Sequence, residues 1–200
     1  MNIRYEIVHD EDAESPECWH DDEMFLVSLH RQCWITNHDK VTSIEDLQEY
    51  RDDDDYIVIP VDAYIHSGVA LALTASPEAG RFPDRRWDVS QCAWIVMTKQ
   101  AVNTFPKQPS TPRELAQGLV DLWNQYLCGD VWGFTVYVDD EDYESVWGIY
   151  GEKEAHHYAK CSMENIKAFF EKFPQAIPGG NHRGSWEQDD PETKAQPEVK

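Results

Sequence analysis

His66 and Ser67 stand side by side in "YIVIPVDAYIHSG", with Asp62 four residues upstream and four aspartates, Asp52 to Asp55, just before the run. These are the residue types of a hydrolytic triad, in which imidazole takes the serine proton and a carboxylate orients the imidazole. The spacing argues against one. Neighbours on a strand face opposite ways, and residues four apart share a face but stand about 13 Å apart. No G-x-S-x-G elbow is present, and Ser67-Gly68 reads as a turn.

Cys18, His20, His30 and Cys33 offer C-x-H…H-x-x-C, ligand types that suit zinc. His30 and Cys33 fall on the apolar run from Met24 to Ile35, expected to be a central strand, where residues three apart point to opposite faces. His157 and Cys161, beside His156, share a helix face at i, i+4, but two ligands do not make a site. No metal and no cofactor are expected. There is no phosphate-binding glycine loop, and Arg81, Arg85 and Arg86 form only a small basic cluster.

Charge is the outlying property. Against 17 basic residues stand 38 acidic ones, for a formal net of −21. Residues 1 to 55 alone hold seventeen acids and four bases. The acids fall in four clusters: Asp10, Glu11 and Asp12 running on to Glu14; Asp21, Asp22 and Glu23; Asp52, Asp53, Asp54 and Asp55; and Asp139, Asp140, Glu141 and Asp142 running on to Glu144. Same-face residues recur at about 6.7 Å on a strand and about 6 Å on a helix, so such rows can imitate a line of phosphates to a basic cleft. Asp also suits turns for local reasons, which accounts for any one cluster by itself. A field of this sign repels nucleic acid and anionic membrane and attracts basic proteins.

The elements that must carry these residues follow from local pattern. "IRYEIV", "MFLVSLHRQCWI", the two halves of "YIVIPVDAYIHSGVALAL" and "CAWIVMT" read as strands, with Pro60 marking an edge, bulge or break. Ser43 with Asp46, and Thr111 with Pro112 and Glu114, are helix starts; Gly129 is a helix stop. Leu115, Leu119, Leu122, Trp123 and Tyr126 form the apolar stripe of the second helix. "VWGFTVYV", an acidic turn "DDEDYES" and "VWGIYG" read as a hairpin. "EKEAHHYAKC" and "SMENIKAFFEKF" read as two short helices, the second capped by Ser162. The expected fold is α+β: a mostly antiparallel sheet with packed helices, one domain over 1–173 and a flexible, disordered tail over 174–200. Five scattered cysteines read as reduced thiols. With no signal-like or membrane-spanning run, a cytoplasmic location is expected.

"HSGVAL" (His66 to Leu71), "RWDVSQCAWIVMTK" (Arg86 to Lys99), "WNQYLCGDVWGF" (Trp123 to Phe134) and "SVWGIYG" (Ser145 to Gly151) resemble an uncharacterised family of small phage- and plasmid-encoded proteins. "FLVSLHRQ" (Phe25 to Gln32) is similar to a further segment of that family. The resemblance spans roughly residues 24 to 151 in one order, with Val89 and Cys92 departing from the usual wording. The family has no assigned reaction. What it implies is a mobile-element setting, where small acidic accessory proteins block host nucleic-acid-binding machinery such as restriction or CRISPR effectors.

Within the shared segments, Trp and Phe beside Gly can pack rings on bare backbone. His66, Asp88 and Gln91 are the polar members, either a buried hydrogen-bond network or the lining of a pocket. The leading expectation is an anti-restriction or anti-CRISPR inhibitor, a DNA mimic whose partner is a basic host nucleic-acid-binding protein, with no direct contact to nucleic acid or membrane. The alternative is a small enzyme or ligand-binding domain using His66, Asp88 and Gln91.

Overall fold

The β-branched and aromatic runs fold as strands β1 (Ile3–His9), β2 (Met24–Ser28), β3 (Tyr56–Ile65), β4 (Val69–Leu73), β5 (Val89–Thr98), β6 (Val131–Val138) and β7 (Glu141–Tyr150). The helices are α1 (Ile44–Asp52), the single turn α2 (Ala101–Thr104), α3 (Pro112–Leu127) and α4 (Glu152–Lys172). These assignments come from a computed structural model, which describes residues 1–16, 23–31, 33, 41–104 and 111–174, with backbone alone at 103 and 104.

The strands form two antiparallel sheets, ordered β2-β5-β3-β4 and β1-β6-β7, in one α+β domain. In the four-stranded sheet both faces are covered, which is why β5 reads as an unbroken apolar run rather than an alternation. Val61, Ala63, Leu71, Leu73, Ile95 and Met97 pack on Ala116, Leu119, Val120 and Trp123 of α3. On the other face Phe25, Val27, Trp94 and Val96 pack with Val41 and Leu47, the latter from α1. The three-stranded sheet is covered on one face by α4, through Ala155, Ala159, Ile166 and Phe170 against Phe134, Val136, Val138 and Ile149.

Both helix starts are reciprocal capping boxes. The Ser43 hydroxyl accepts from Asp46 N and the Thr111 hydroxyl from Glu114 N, while each acid returns to its cap's backbone N–H. Hydrogen bonds from the backbone and hydroxyl of Thr42 hold the Asp46 carboxyl below its usual range, and those from Thr111 do the same for Glu114. The α3 stop is Gly129, at φ 75°. Pro60 lies inside β3 where β4 ends. Its carbonyl accepts from Thr74 N at 3.0 Å, ladder pairing to β4 starts at Val61, and a register shift against β5 follows between Val61 and Asp62.

Three expectations are corrected. Strand β2 takes in Met24 to Ser28, the described residues 29–31 and 33 are not strand, and among the described residues β2 is an edge, not a central strand. At its end the Ser28 hydroxyl turns back to donate to Cys92 O and accept from His30 N, which closes the strand. The two short helices are one helix of 21 residues. No Gly or Pro interrupts it, and its buried positions keep helical spacing through Ser162, whose hydroxyl bonds the Glu144 carboxylate on β7 instead of capping. The acidic turn is only Asp139-Asp140, both at positive φ (51° and 68°), a two-residue hairpin loop; Glu141 onward is strand. Apart from Pro174, the expected tail lies outside the described residues.

Candidate functional site

His66 closes the β3–β4 hairpin, its N–H donating to Gly68 O across Ser67 at φ 54°. Its exposed ring stacks at one edge of Tyr64, and its Nδ1 lies 3.2 Å from Asp88 Oδ2. Gln91 does not join them. Its Nε2 reaches 3.5 Å toward the Thr74 hydroxyl, which donates to Asp62 Oδ1 at 2.7 Å. Asp62 is the buried charge of this region, 5% exposed, with Arg85 at 3.5 Å from its second oxygen. The three polar residues singled out from sequence thus divide into a surface His–Asp pair and a Gln at the rim of an Asp62–Thr74–Arg85 network.

The thiols and imidazoles do not converge on a metal. Among the described residues no group of three or more His, Cys, Asp or Glu is placed to hold one. His30 and Cys33 lie past β2, with Cys33 N donating to His30 O, so the strand argument about their faces does not apply. Cys33 and Cys92 are free thiols in hydrogen-bond contact, and this contact, aided by burial, raises the Cys92 pKa far above that of a free thiol. His157 and Cys161 meet at 3.9 Å on α4, while His156 turns to Tyr5. Cys18 and His20 lie outside the described residues.

The acidic clusters occupy separate places. Asp10 sits at the end of β1, where one carboxylate oxygen accepts from Gly148 N and the other from Asp12 N; Glu11 and Asp12 beside it are exposed. Asp139 accepts from Asn2 N, and Asp140 pairs with Arg4 at 3.3 Å, at the opposite end of β1 from Asp10. At the rise of a strand those two clusters stand about 20 Å apart. Glu141 and Asp142 are exposed at the start of β7. Asp52 ends α1, Asp53 is its C-cap, and Asp54 and Asp55 turn into β3; all four are exposed. Glu23 precedes β2, its backbone carbonyl held by Thr98 N, and Asp21 and Asp22 lie outside the described residues.

A feature that sequence reading missed lies between β7 and α4. A groove of about 960 Å³ is lined by Val146, Trp147, Tyr158 and Phe169, with Glu144 and Glu154 as its only charged walls among the described residues. Trp147 and Tyr158 are 52% and 54% exposed. Trp147 also lines a second hollow of about 640 Å³ with Val8, Glu11, Asp12 and Glu14. The pairing of Trp with Gly in the hairpin was the available signal. The Trp147 ring lies flat on the backbone of Gly133 across the ladder, so that any Cβ there would overlap it. Gly133→Ala is expected to lever Trp147 outward and cost about 1–3 kcal/mol of stability. A fall in the urea midpoint together with a shifted Trp147 indole resonance checks it; an unchanged midpoint refutes it.

Among the described residues no helix is long and apolar enough to cross a membrane. No family model, curated protein or solved structure matches this chain.

Proposed function

We propose that this chain is a non-catalytic acidic inhibitor, which offers clustered carboxylates to the basic cleft of a nucleic-acid-binding protein of the restriction or CRISPR effector kind. The observation that carries the reading is the placement of Asp52 to Asp55. Four successive exposed acids follow Arg51 at the C-terminal end of α1, where the helix dipole already concentrates negative charge. Among the described residues none of the four enters an ion pair. Asp52 accepts from Gln48, and Asp53 accepts from Asp55 N, bonds that neutralise nothing. A charge arrangement that opposes the local fold without a compensating partner is the kind of rule-breaking that function maintains. The mobile-element setting implied by the sequence resemblance supplies the class of target. The alternative, a small enzyme or ligand-binding domain on His66, Asp88 and Gln91, has less support because Gln91 turns to Thr74.

The test is DNA cleavage by a panel of purified restriction and CRISPR effector nucleases, with this chain titrated in. Inhibition of at least one, competitive with DNA, is expected to weaken at least about tenfold between roughly 50 and 200 mM salt. It should weaken again when Asp52→Asn, Asp53→Asn, Asp54→Asn and Asp55→Asn are combined. No inhibition across the panel, or inhibition indifferent to both salt and the fourfold variant, overturns the reading.

A further inference from the structure

The two sheets treat their edges differently. On the four-stranded sheet, the β4 edge is closed by a side chain. The Asn124 carboxamide of α3 accepts from Leu71 N at 2.8 Å and donates to Leu71 O at 2.9 Å, as a neighbouring strand would. On the three-stranded sheet, β7 is ten residues long and, among the described residues, no strand lies beyond it. Exposed edges are normally blunted by shortness, charged side chains, proline or bulges. β7 is long and has no lysine or proline; its devices are two register shifts against β6 and the acids Glu141, Asp142 and Glu144, which repel a like edge but not a basic one, and no Lys or Arg occurs anywhere between Arg113 and Lys153. Among the described residues, only at Gly148 does a carboxylate, that of Asp10, take up a backbone N–H of β7. Beside this edge runs the groove of Val146, Trp147, Tyr158 and Phe169, and its charged walls, Glu144 and Glu154, are both acidic.

We propose that the β7 edge and this groove are the docking surface for an extended segment of the partner protein in which Lys or Arg alternates with β-branched residues. The segment adds as a fourth strand beside β7. Its main chain takes up the unpaired groups of Glu141 to Trp147, one row of side chains enters the groove beside Glu144 and Glu154, and the other meets Asp142 on the opposite face. Charge selects this occupant over a second copy of the chain, because a second β7 brings more acids and no base to the same edge. The proposal deepens the functional reading above and rests on its claim that the partner is basic.

The probe is a short synthetic peptide alternating lysine with valine, added to the full chain at low salt and followed by amide hydrogen exchange. The expected result is slowed exchange at Glu141 to Trp147. Binding should fall at least about tenfold in Val146→Arg, and in Tyr158→Arg on α4 should β7 not tolerate the first change, each variant melting as the parent does. The same peptide with glutamate for lysine, or with alternate backbone nitrogens methylated, is expected not to bind.

Slowing confined to other segments overturns the proposal, as does equal binding by the methylated peptide or by both arginine variants. It also falls if β7 amides in the free chain already exchange as slowly as those of β6, which means the edge is occupied by this chain itself; dependence of that slowing on protein concentration identifies a second copy. Lysine-peptide binding that is lost only when Asp52 to Asp55 are neutralised removes the β7 site and leaves the charge reading standing. Docking at β7 without nuclease inhibition does the reverse.

Discussion

Asn124→Ala is expected to lower the unfolding free energy by about 2–4 kcal/mol, because it leaves two backbone groups of a buried strand without partners. Leu71 is nearly inaccessible, so water cannot replace the lost carboxamide without opening the α3–β4 contact. The loss should appear as a lower urea midpoint at constant slope, and as faster exchange of the Leu71 amide than of its neighbours in β4. Asn124→Asp keeps an acceptor for Leu71 N and loses the donor to Leu71 O, so at neutral pH it should recover little. A midpoint within experimental error of the parent would mean that the carboxamide merely lies along an edge that solvent can satisfy.

Trp123→Ala, one residue earlier on the same helix, is expected to cost about 3–5 kcal/mol, the range for emptying a large aromatic site. Trp123 is 1% exposed and fills the space between α3 and the four-stranded sheet, edge-on to Tyr126. Its indole N–H finds no acceptor among the described residues. Stability therefore comes from the ring's volume and not from its polar handle, and Trp123→Phe should stay within about 1.5 kcal/mol of the parent. Equal losses in the two variants would show instead that the N–H has a partner, such as a bound water.

What could be read from the chain alone was local. Capping boxes at Ser43–Asp46 and Thr111–Glu114, the Gly129 stop, the turn at Ser67-Gly68 and the β6–β7 hairpin are each specified within a few residues, and the structure places them as expected, the hairpin with a shorter loop. The α+β class followed from the same signals. Local pattern failed where a partner distant in sequence decides. Ser162 resembles a cap until Glu144, eighteen residues away, takes its hydroxyl, and "MFLVSLHRQCWI" resembles a central strand until Ser28 turns its end back on Cys92.

The site divides in the same way. Composition by itself determined the −21 field and the lack of any base between Arg113 and Lys153, because charge is additive and needs no geometry. Only the tertiary structure decided which acids are committed to the fold, as Asp10 is at Gly148 N and Asp140 is to Arg4, and which face outward, as Asp52 to Asp55 do. It alone decided that His66 and Gln91 part company, that Asn124 seals one sheet edge, and that no strand among the described residues lies beyond β7. Each of those outcomes depends on which strands become neighbours, and that is set by long-range packing of whole faces, to which the residues in question contribute only a small part.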